Sequence, residues 1–300
     1  MVYNAIVTMP PYAPYMREVL RHPIVSGIRL NTVMALHDSI DDTVRRMQEE
    51  ATRHGKRLWI DLKGRQLRTA GFGVPPFTEI ELTHNIDVKT PVTAYFSDGK
   101  EHATVLAVKG NKLYMQEGPR RVVGPGESIN IPHPSLRIDG YFTRTDIEYI
   151  EAAQRVGLQH YMLSFVESQQ DVAALKSLHP DAIVASKIES MRGLDYVKSW
   201  DGHGRLMAAR GDLYLEVPRP HLIASAVASI VEKDPDAIAA SRILDSLALS
   251  SEPSCADIGD LDSLVRMGYR TFMFGDHICL ERDSIISGLN LLQEMAKDHR

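Results

Sequence analysis

Two textures alternate along the chain. Across residues 3–62 and again across 144–300, short runs that are apolar at nearly every position are each followed by a stretch with helical period. The apolar runs at 3–9, 24–31, 57–62, 160–165, 181–188, 205–209, 236–244 and 270–275 predict strands. The segments 15–22, 38–54, 144–156, 171–178, 191–200, 221–232, 256–267 and 282–300 predict helices. In 38–54, for instance, Ile40, Val44 and Met47 fall on one face, and Asp38 or Ser39 is placed to cap the start. Strands without polar alternation are covered by helices on their outer side, as in parallel sheets. Eight strand-helix units in succession predict an α/β fold, a (β/α)8 or TIM barrel.

Between 69 and 139 the pattern changes to short alternating runs rich in Gly, Pro and Thr, such as 93–96 and 103–108. Lys109-Gly110-Asn111-Lys112 reads as a hairpin turn leading into 113–115. This predicts a small antiparallel β-barrel inserted after the third strand, with residues 1–68 and 140–300 forming the barrel domain and 69–139 the insertion. An insertion on the rim that carries the site is expected to act as a lid.

The apolar runs end in charge. Residues 184–188 deliver Lys187 and Glu189, 206–209 deliver Arg210 and Asp212, 24–31 deliver Arg29 and Asn31, and 57–62 deliver Asp61, Lys63, Arg65 and Arg68. In a parallel barrel the C-terminal strand ends form the ligand-binding rim. Glu189 and Asp212 offer one oxygen each to a hard divalent cation such as Mg²⁺, which then takes waters and substrate oxygens for the rest of its shell. From the residues alone, ion pairs of these carboxylates with Lys187 or Arg210 are the favoured reading, ahead of metal binding. Asp61, Lys63 and Arg68 read either as a structural network at the hinge to the insertion or as ligand contacts. His277, on the rim of the last strand, reads as a surface histidine.

Composition narrows the classes. The 300 residues carry a net charge of −5, with 44% hydrophobic and 24% charged positions, and no basic tract that would suit nucleic acid or an anionic membrane. Neither a membrane-length apolar run nor a signal-peptide pattern is present, so a cytoplasmic location is expected. The two cysteines, Cys255 and Cys279, have no metal-ligand spacing and are expected to be buried thiols.

Several motifs, in order, resemble the pyruvate kinase family across nearly the whole chain. Ile28-Arg29-Leu30-Asn31 resembles its Arg-Leu-Asn segment, and Asp61-Leu62-Lys63-Gly64-Arg65-Gln66-Leu67-Arg68-Thr69 resembles Asp-Thr-Lys-Gly-Pro-Glu-Ile-Arg-Thr. Ser186-Lys187-Ile188-Glu189 and Ala209-Arg210-Gly211-Asp212-Leu213 are similar to its catalytic lysine and metal-binding segments, and Ser241-Arg242-Ile243-Leu244-Asp245-Ser246 resembles Thr-Gln-Met-Leu-Glu-Ser. The resemblance implies that Arg29 contacts the phosphate of phosphoenolpyruvate and that Glu189 and Asp212 bind Mg²⁺ or Mn²⁺. It implies further that Lys187 stabilises the phosphoryl group or the enolate, and that the N–H groups of Gly211 and Asp212, with Ser241, hold the carboxylate. Asn31, Asp61 and Arg68 join the substrate side.

The departures are one-sided. The family's potassium site uses a Ser and a Thr where this chain has Val33 and Leu62, so that site is expected to be lost, with Arg65 a candidate tethered charge in its place. The lysine that would face nucleotide phosphates aligns with Glu127, although Arg120 and Arg121 lie nearby, and the family's C-terminal regulatory domain is expected to be lacking. The resemblance therefore implies retained enolate chemistry on a small-molecule 2-oxo acid or enol phosphate with an altered second substrate. Phosphoryl transfer to a partner other than ADP leads, ahead of aldol or decarboxylase chemistry at C3 and of a potassium-independent ADP-dependent kinase. A non-catalytic binding protein is the reading from another class. Homo-oligomers associating through the barrel are also in keeping with the family.

Overall fold

The computed structural model describes residues 3–74 and 79–298. The chain begins with β1 (Asn4–Thr8), α1 (Met16–Arg21), β2 (Val25–Asn31), α2 (Ile40–Arg53) and β3 (Arg57–Leu62). An excursion follows through β4 (Glu79–Glu81), β5 (Ile86–Asp87), β6 (Val92–Phe96), β7 (Glu101–Lys109), β8 (Lys112–Met115), β9 (Ile129–Asn130) and β10 (Arg137–Ile138). The alternating pattern then resumes with α3 (Arg144–Arg155), β11 (His160–Leu163), α4 (Gln169–Leu178), β12 (Ile183–Ile188), α5 (Met191–Ser199), β13 (Arg205–Ala209) and α6 (Arg210–Glu216). It ends with α7 (Ile223–Lys233), β14 (Ile238–Ala240), α8 (Cys255–Met267), β15 (Thr271–Phe274) and α9 (Arg282–Asp298).

Eight strands close into a parallel barrel in the order β1-β15-β14-β13-β12-β11-β3-β2. Its interior is filled by residues such as Ile6, Trp59, Met162, Met207 and Met273, and a larger apolar layer joins the strands to the helices outside. Caps fix where helices begin: the side chains of Ser39, Ser190 and Ser254 accept from the N–H groups of Asp42, Gly193 and Asp257. Asp146 does more than complete the capping box of α3 with Thr143. It also accepts from the N–H groups of Lys63 and Gly64, which ties the loop after β3 to that helix.

The inserted strands form an antiparallel sheet in the order β4-β8-β7-β6-β9 around their own core of Ile80, Phe96, Val105, Leu113 and Ile131. The extended segment 67–70 hydrogen-bonds to residues 126–129 on one side and 81–83 on the other, so it joins the two edges of this sheet. A β5-β10 ribbon lies at the return to the barrel.

Three expectations are corrected. The strand expected over 236–244 ends at Ala240, because Ser241, Arg242 and Leu244 take φ of 66°, 53° and 56° and turn the chain away. The segment after Ala209 is the helix α6, entered without a loop, and periodicity missed it because it is only seven residues long. Cys255 is exposed at the start of α8, whereas Cys279 is buried as expected. Residues 299–300, expected in the closing helix, lie outside the described residues. No helix among the described residues is long and apolar enough to cross a membrane.

Candidate active site

Asp61, at the end of β3, is the hub. It has no exposed surface, and its Oδ2 accepts from Arg29 Nε at 2.7 Å and also from Arg29 Nη2. Its Oδ1 accepts from Lys187 Nζ at 3.4 Å and Ser164 Oγ at 3.3 Å, with Lys63 Nζ 3.6 Å away. Burial alone would raise the pKa of such a carboxyl, yet the charges of Arg29, Lys187 and Lys63 outweigh it and hold Asp61 below the usual range. Strands β2, β3 and β12 thus converge at one point, as their charged ends suggested.

Around this hub four cations differ in how fully they are engaged. Arg29 donates through Nη1 to Thr8 Oγ1 at 2.8 Å and Asp276 Oδ1 at 3.1 Å, so only one Nη2 N–H remains uncommitted. Lys187 reaches Ser164 Oγ at 2.8 Å, Asp61, and Glu189 Oε1 at 3.1 Å. Burial pulls the Lys187 ammonium down, but Asp61 and Glu189 overcome that and raise its pKa, so it remains charged. Arg68 donates to Gln66 Oε1 at 2.7 Å and to the carbonyl of Gly126, with no carboxylate hydrogen-bond partner among the described residues, and burial lowers its pKa. Lys63 makes no hydrogen bond from its ammonium among the described residues. Burial pushes it down to about 7, against the pull of Asp61 and with the help of the charges on Arg68 and Lys187.

The two candidate metal carboxylates stand opposite. Glu189 is 1% exposed and accepts from the Phe165 N–H at 2.8 Å as well as from Lys187. Burial pushes its pKa up to about 7, Lys187 lowers it, and the negative charge of Asp212 raises it again. Asp212, in the first turn of α6, accepts from Gln66 Nε2 at 3.2 Å and Asn130 Nδ2 at 3.1 Å. Two mutually repelling carboxylates with hard oxygen donors fit a divalent cation, which would remove the repulsion that raises Glu189. Among the described residues no group of three or more His, Cys, Asp or Glu gathers for a metal, so a cation here would draw its remaining ligands from water and substrate. Gly211 packs against Ser241, whose Cβ lies 3.5 Å from where a Cβ on that glycine would stand. This close approach brings Ser241 to the N-terminus of α6.

The other residues singled out in the sequence have defined surroundings. Arg65 pairs with Glu167 at 3.2 Å and Asp171 at 2.6 Å and lies over the Tyr141 ring, so it joins a network at the start of α4 and its charge is already matched there. Asn31 donates to both oxygens of Asp276, at 3.1 and 2.9 Å. Glu127 is held within the insertion by Arg121, Ser97 and the N–H of Gly124, and hydrogen bonding to Arg121 leads in pushing its pKa down to about 2. Its charge is therefore matched by Arg121, which also pairs with Glu101 at 2.9 Å. His277 lies at the rim, 4.0 Å from Asp245. Gln66, Asn130 and Ser164, which touch site carboxylates or Lys187, carry no charge and gave no signal in the sequence.

A model of the family described as pyruvate kinase, barrel domain, matches residues 77–277, two thirds of the chain. The chain belongs to the pyruvate kinase family. Among curated pyruvate kinases, that of Thermoplasma acidophilum is 26% identical over 83% of this chain and 49% of its own length. That of Borreliella burgdorferi is 25% identical over 83% of this chain and 58% of its own. The Methanocaldococcus jannaschii protein is 25% identical over 92% of this chain and 65% of its own. The chain thus spans about half to two thirds of the length of these relatives. Lys187, Glu189, Gly211, Asp212 and Ser241 lie within the family match, whereas Arg29, Asn31, Asp61 and Arg68 precede it.

Proposed function

We propose that the chain is a divalent-metal-dependent enzyme acting on phosphoenolpyruvate, pyruvate or a close 2-oxo acid through its enolate, with phosphoryl transfer to or from a partner other than ADP. One observation carries the reading: Arg29, Lys63, Arg68 and Lys187 gather on one side of Glu189 and Asp212, and the side chains of Lys63 and Arg68 make no hydrogen bond to any carboxylate among the described residues. An enol phosphate is a compact polyanion, and such a ring of cations beside a hard-cation site is complementary to it. Mg²⁺ or Mn²⁺ held by Glu189 and Asp212 supplies direct neutralisation of the carboxylate and C2 oxygen of a 2-oxo acid.

The chain's own groups divide the remaining work. Lys187, kept charged by two carboxylates, faces negative charge as it develops. Arg29, clamped by Asp61, presents a fixed N–H to the anion. The first N–H groups of a helix have no intrahelical partner, so those of Gly211 and Asp212 are assigned to the substrate carboxylate, with Ser241 beside them. Because Glu127 is bound to Arg121, the insertion offers no free charge at that position to a nucleotide phosphate. Carbon chemistry at C3 is the second reading, favoured by Lys63, which exchanges a proton near neutral pH and is therefore suited to serve an enolate carbon.

The test common to both readings is exchange of the pyruvate methyl protons in deuterated buffer, followed by proton NMR. Exchange well above the buffer rate is expected with Mg²⁺, returning to background when the metal is chelated. Metal-independent rates throughout would sink the enolate assignment.

Potassium is expected to be dispensable. The oxygens of Asp61 are shared by Arg29, Lys187 and Ser164, and Val33 and Leu62 offer no side-chain oxygen. Replacing K⁺ by Na⁺ or tetramethylammonium at constant ionic strength should change the Mg²⁺-dependent exchange less than twofold. A tenfold stimulation by K⁺ would show that the site is retained with other ligands.

A further inference from the structure

A cleft of about 850 Å³ lies between the end of the inserted domain and the loops after β11, β12 and α6. It belongs to neither the cation ring nor the Glu127 side of the insertion. Asn130 and Glu216 line it next to Asp212, while Phe165 and Ser190 line it next to Glu189. The cleft therefore ends at both candidate metal ligands.

Its polar groups are particular. Asn130 is 2% exposed and donates through Nδ2 to Asp212 Oδ1 at 3.1 Å. A carboxylate beside cations only accepts, so this bond fixes the orientation of the amide. Asn130 Oδ1 is then left buried without a hydrogen-bond partner among the described residues, a condition that costs about 1–3 kcal/mol unless a donor arrives. The charge in the cleft carries no cationic excess. Arg65 and Arg192 are both paired to Glu167, and the three arginines that line the cleft, these two and Arg137, face the carboxyl groups of Asp139, Glu167 and Asp195, with Glu216 beside them, its pKa pushed up to about 8 chiefly by burial. Much of the remaining wall is apolar, with Tyr95, Ile131, Met191, Leu215 and Val217. A polyphosphate meets a single arginine, Arg137, that has no carboxylate ion pair among the described residues, whereas a molecule with a hydroxyl donor and an uncharged frame finds an acceptor and apolar flanks.

We infer that this cleft binds the second substrate, an uncharged hydroxyl-bearing molecule of about sugar size that donates to Asn130 Oδ1 and reaches the enolate from the Phe165 and Glu216 side. The inference rests on the enolate reading and specifies which co-substrate that site takes. It also gives the altered second substrate an entrance separate from the side where Arg68 and Glu127 lie.

The test uses saturation-transfer NMR on the full chain saturated with Mg²⁺ and oxalate, with D-ribose, D-glyceraldehyde and ADP as probes. Transfer to at least one neutral probe at millimolar concentration is expected, and Met191→Trp, which fills the wall from a partly exposed position, should weaken it at least tenfold. Oxalate affinity, measured by calorimetry on the same samples, should stay within twofold of the parent. Asn130→Leu provides the second variant, and it should also remove transfer to the neutral probe. No transfer to either neutral probe, transfer unchanged in both variants, or an ADP signal abolished by Met191→Trp would overturn the inference. Failure of Mg²⁺-dependent oxalate binding in the parent would instead remove the enolate reading, so the two failures are distinguishable.

Discussion

Replacing Glu189 by glutamine is expected to lower Mg²⁺-dependent oxalate affinity by about a hundredfold or more while leaving the fold intact. The carboxylate is one of two protein oxygens assigned to the cation, and an amide oxygen carries no charge to hold it. Stability should respond in the opposite sense from an ordinary buried ion-pair deletion. The folded pKa of Glu189, about 7, lies above its ordinary 4.5, with burial the leading cause. Its contribution to stability is therefore fully present below the ordinary value and is lost as pH rises through about 7. Glutamine resembles the protonated carboxyl and retains an oxygen for the Phe165 N–H, so at pH 8 without metal the variant should be as stable as the parent or more so. A second signature follows from the same group. Parent affinity for Mg²⁺ should fall roughly tenfold per pH unit below 7, because one proton must leave Glu189 first, and the variant should lack that slope. Calorimetry between pH 6 and 8, with thermal melts of the metal-free proteins, checks both. Unchanged Mg²⁺-dependent binding in the variant would remove Glu189 from the metal site.

Most of the fold was legible because two periodicities carried it. Wholly apolar runs marked the barrel strands, and the change to alternating residues marked the insertion. Local conformation defeated the pattern in two places. Ser241-Arg242-Ile243-Leu244 looks like strand, but three of its residues take left-handed φ, a conformation with no hydrophobic signature. The short helix α6 starts directly at Arg210, where the apolar run of β13 simply stops. In the candidate site the charged residues were legible from their strand-end positions, and the structure brings Arg29, Asp61, Lys187 and Glu189 into one contiguous network. How that network divides its charge was not legible. Arg65 and Lys63 are two residues apart in one motif, yet Arg65 is matched by Glu167 and Asp171 while the Lys63 ammonium makes no hydrogen bond to any described residue. The neutral amides of Gln66 and Asn130 were invisible for a related reason: their importance lies in touching Asp212 across long sequence separations.

Exchanging Asp61 for asparagine should be the most damaging single substitution to stability, at about 3–5 kcal/mol, the range for removing one partner of a buried charge cluster. The side chain keeps nearly the same shape and an oxygen for Ser164, so packing is preserved, while its NH2 faces the Arg29 guanidinium and cannot accept from it. Arg29, Lys63 and Lys187 lose their common carboxylate. Arg29 retains Asp276 and Lys187 retains Glu189, but Lys63, whose one ion pair among the described residues is with Asp61, should lose its proton at lower pH than the parent value of about 7. Because the parent Asp61 has a depressed pKa, its contribution is present above the ordinary carboxyl range and is lost as pH falls through the folded value. The difference between parent and variant should accordingly shrink under acid conditions. The uncompensated cations also predict a rescue. Inorganic phosphate should raise the melting temperature of the variant by several degrees more than that of the parent, since an anion bound only by the folded cluster stabilises by mass action. Denaturant unfolding with and without phosphate measures both effects. A loss below about 1 kcal/mol, or phosphate that stabilises the two proteins equally, would mean that the cations do not depend on Asp61, and the hub assigned to it would be wrong.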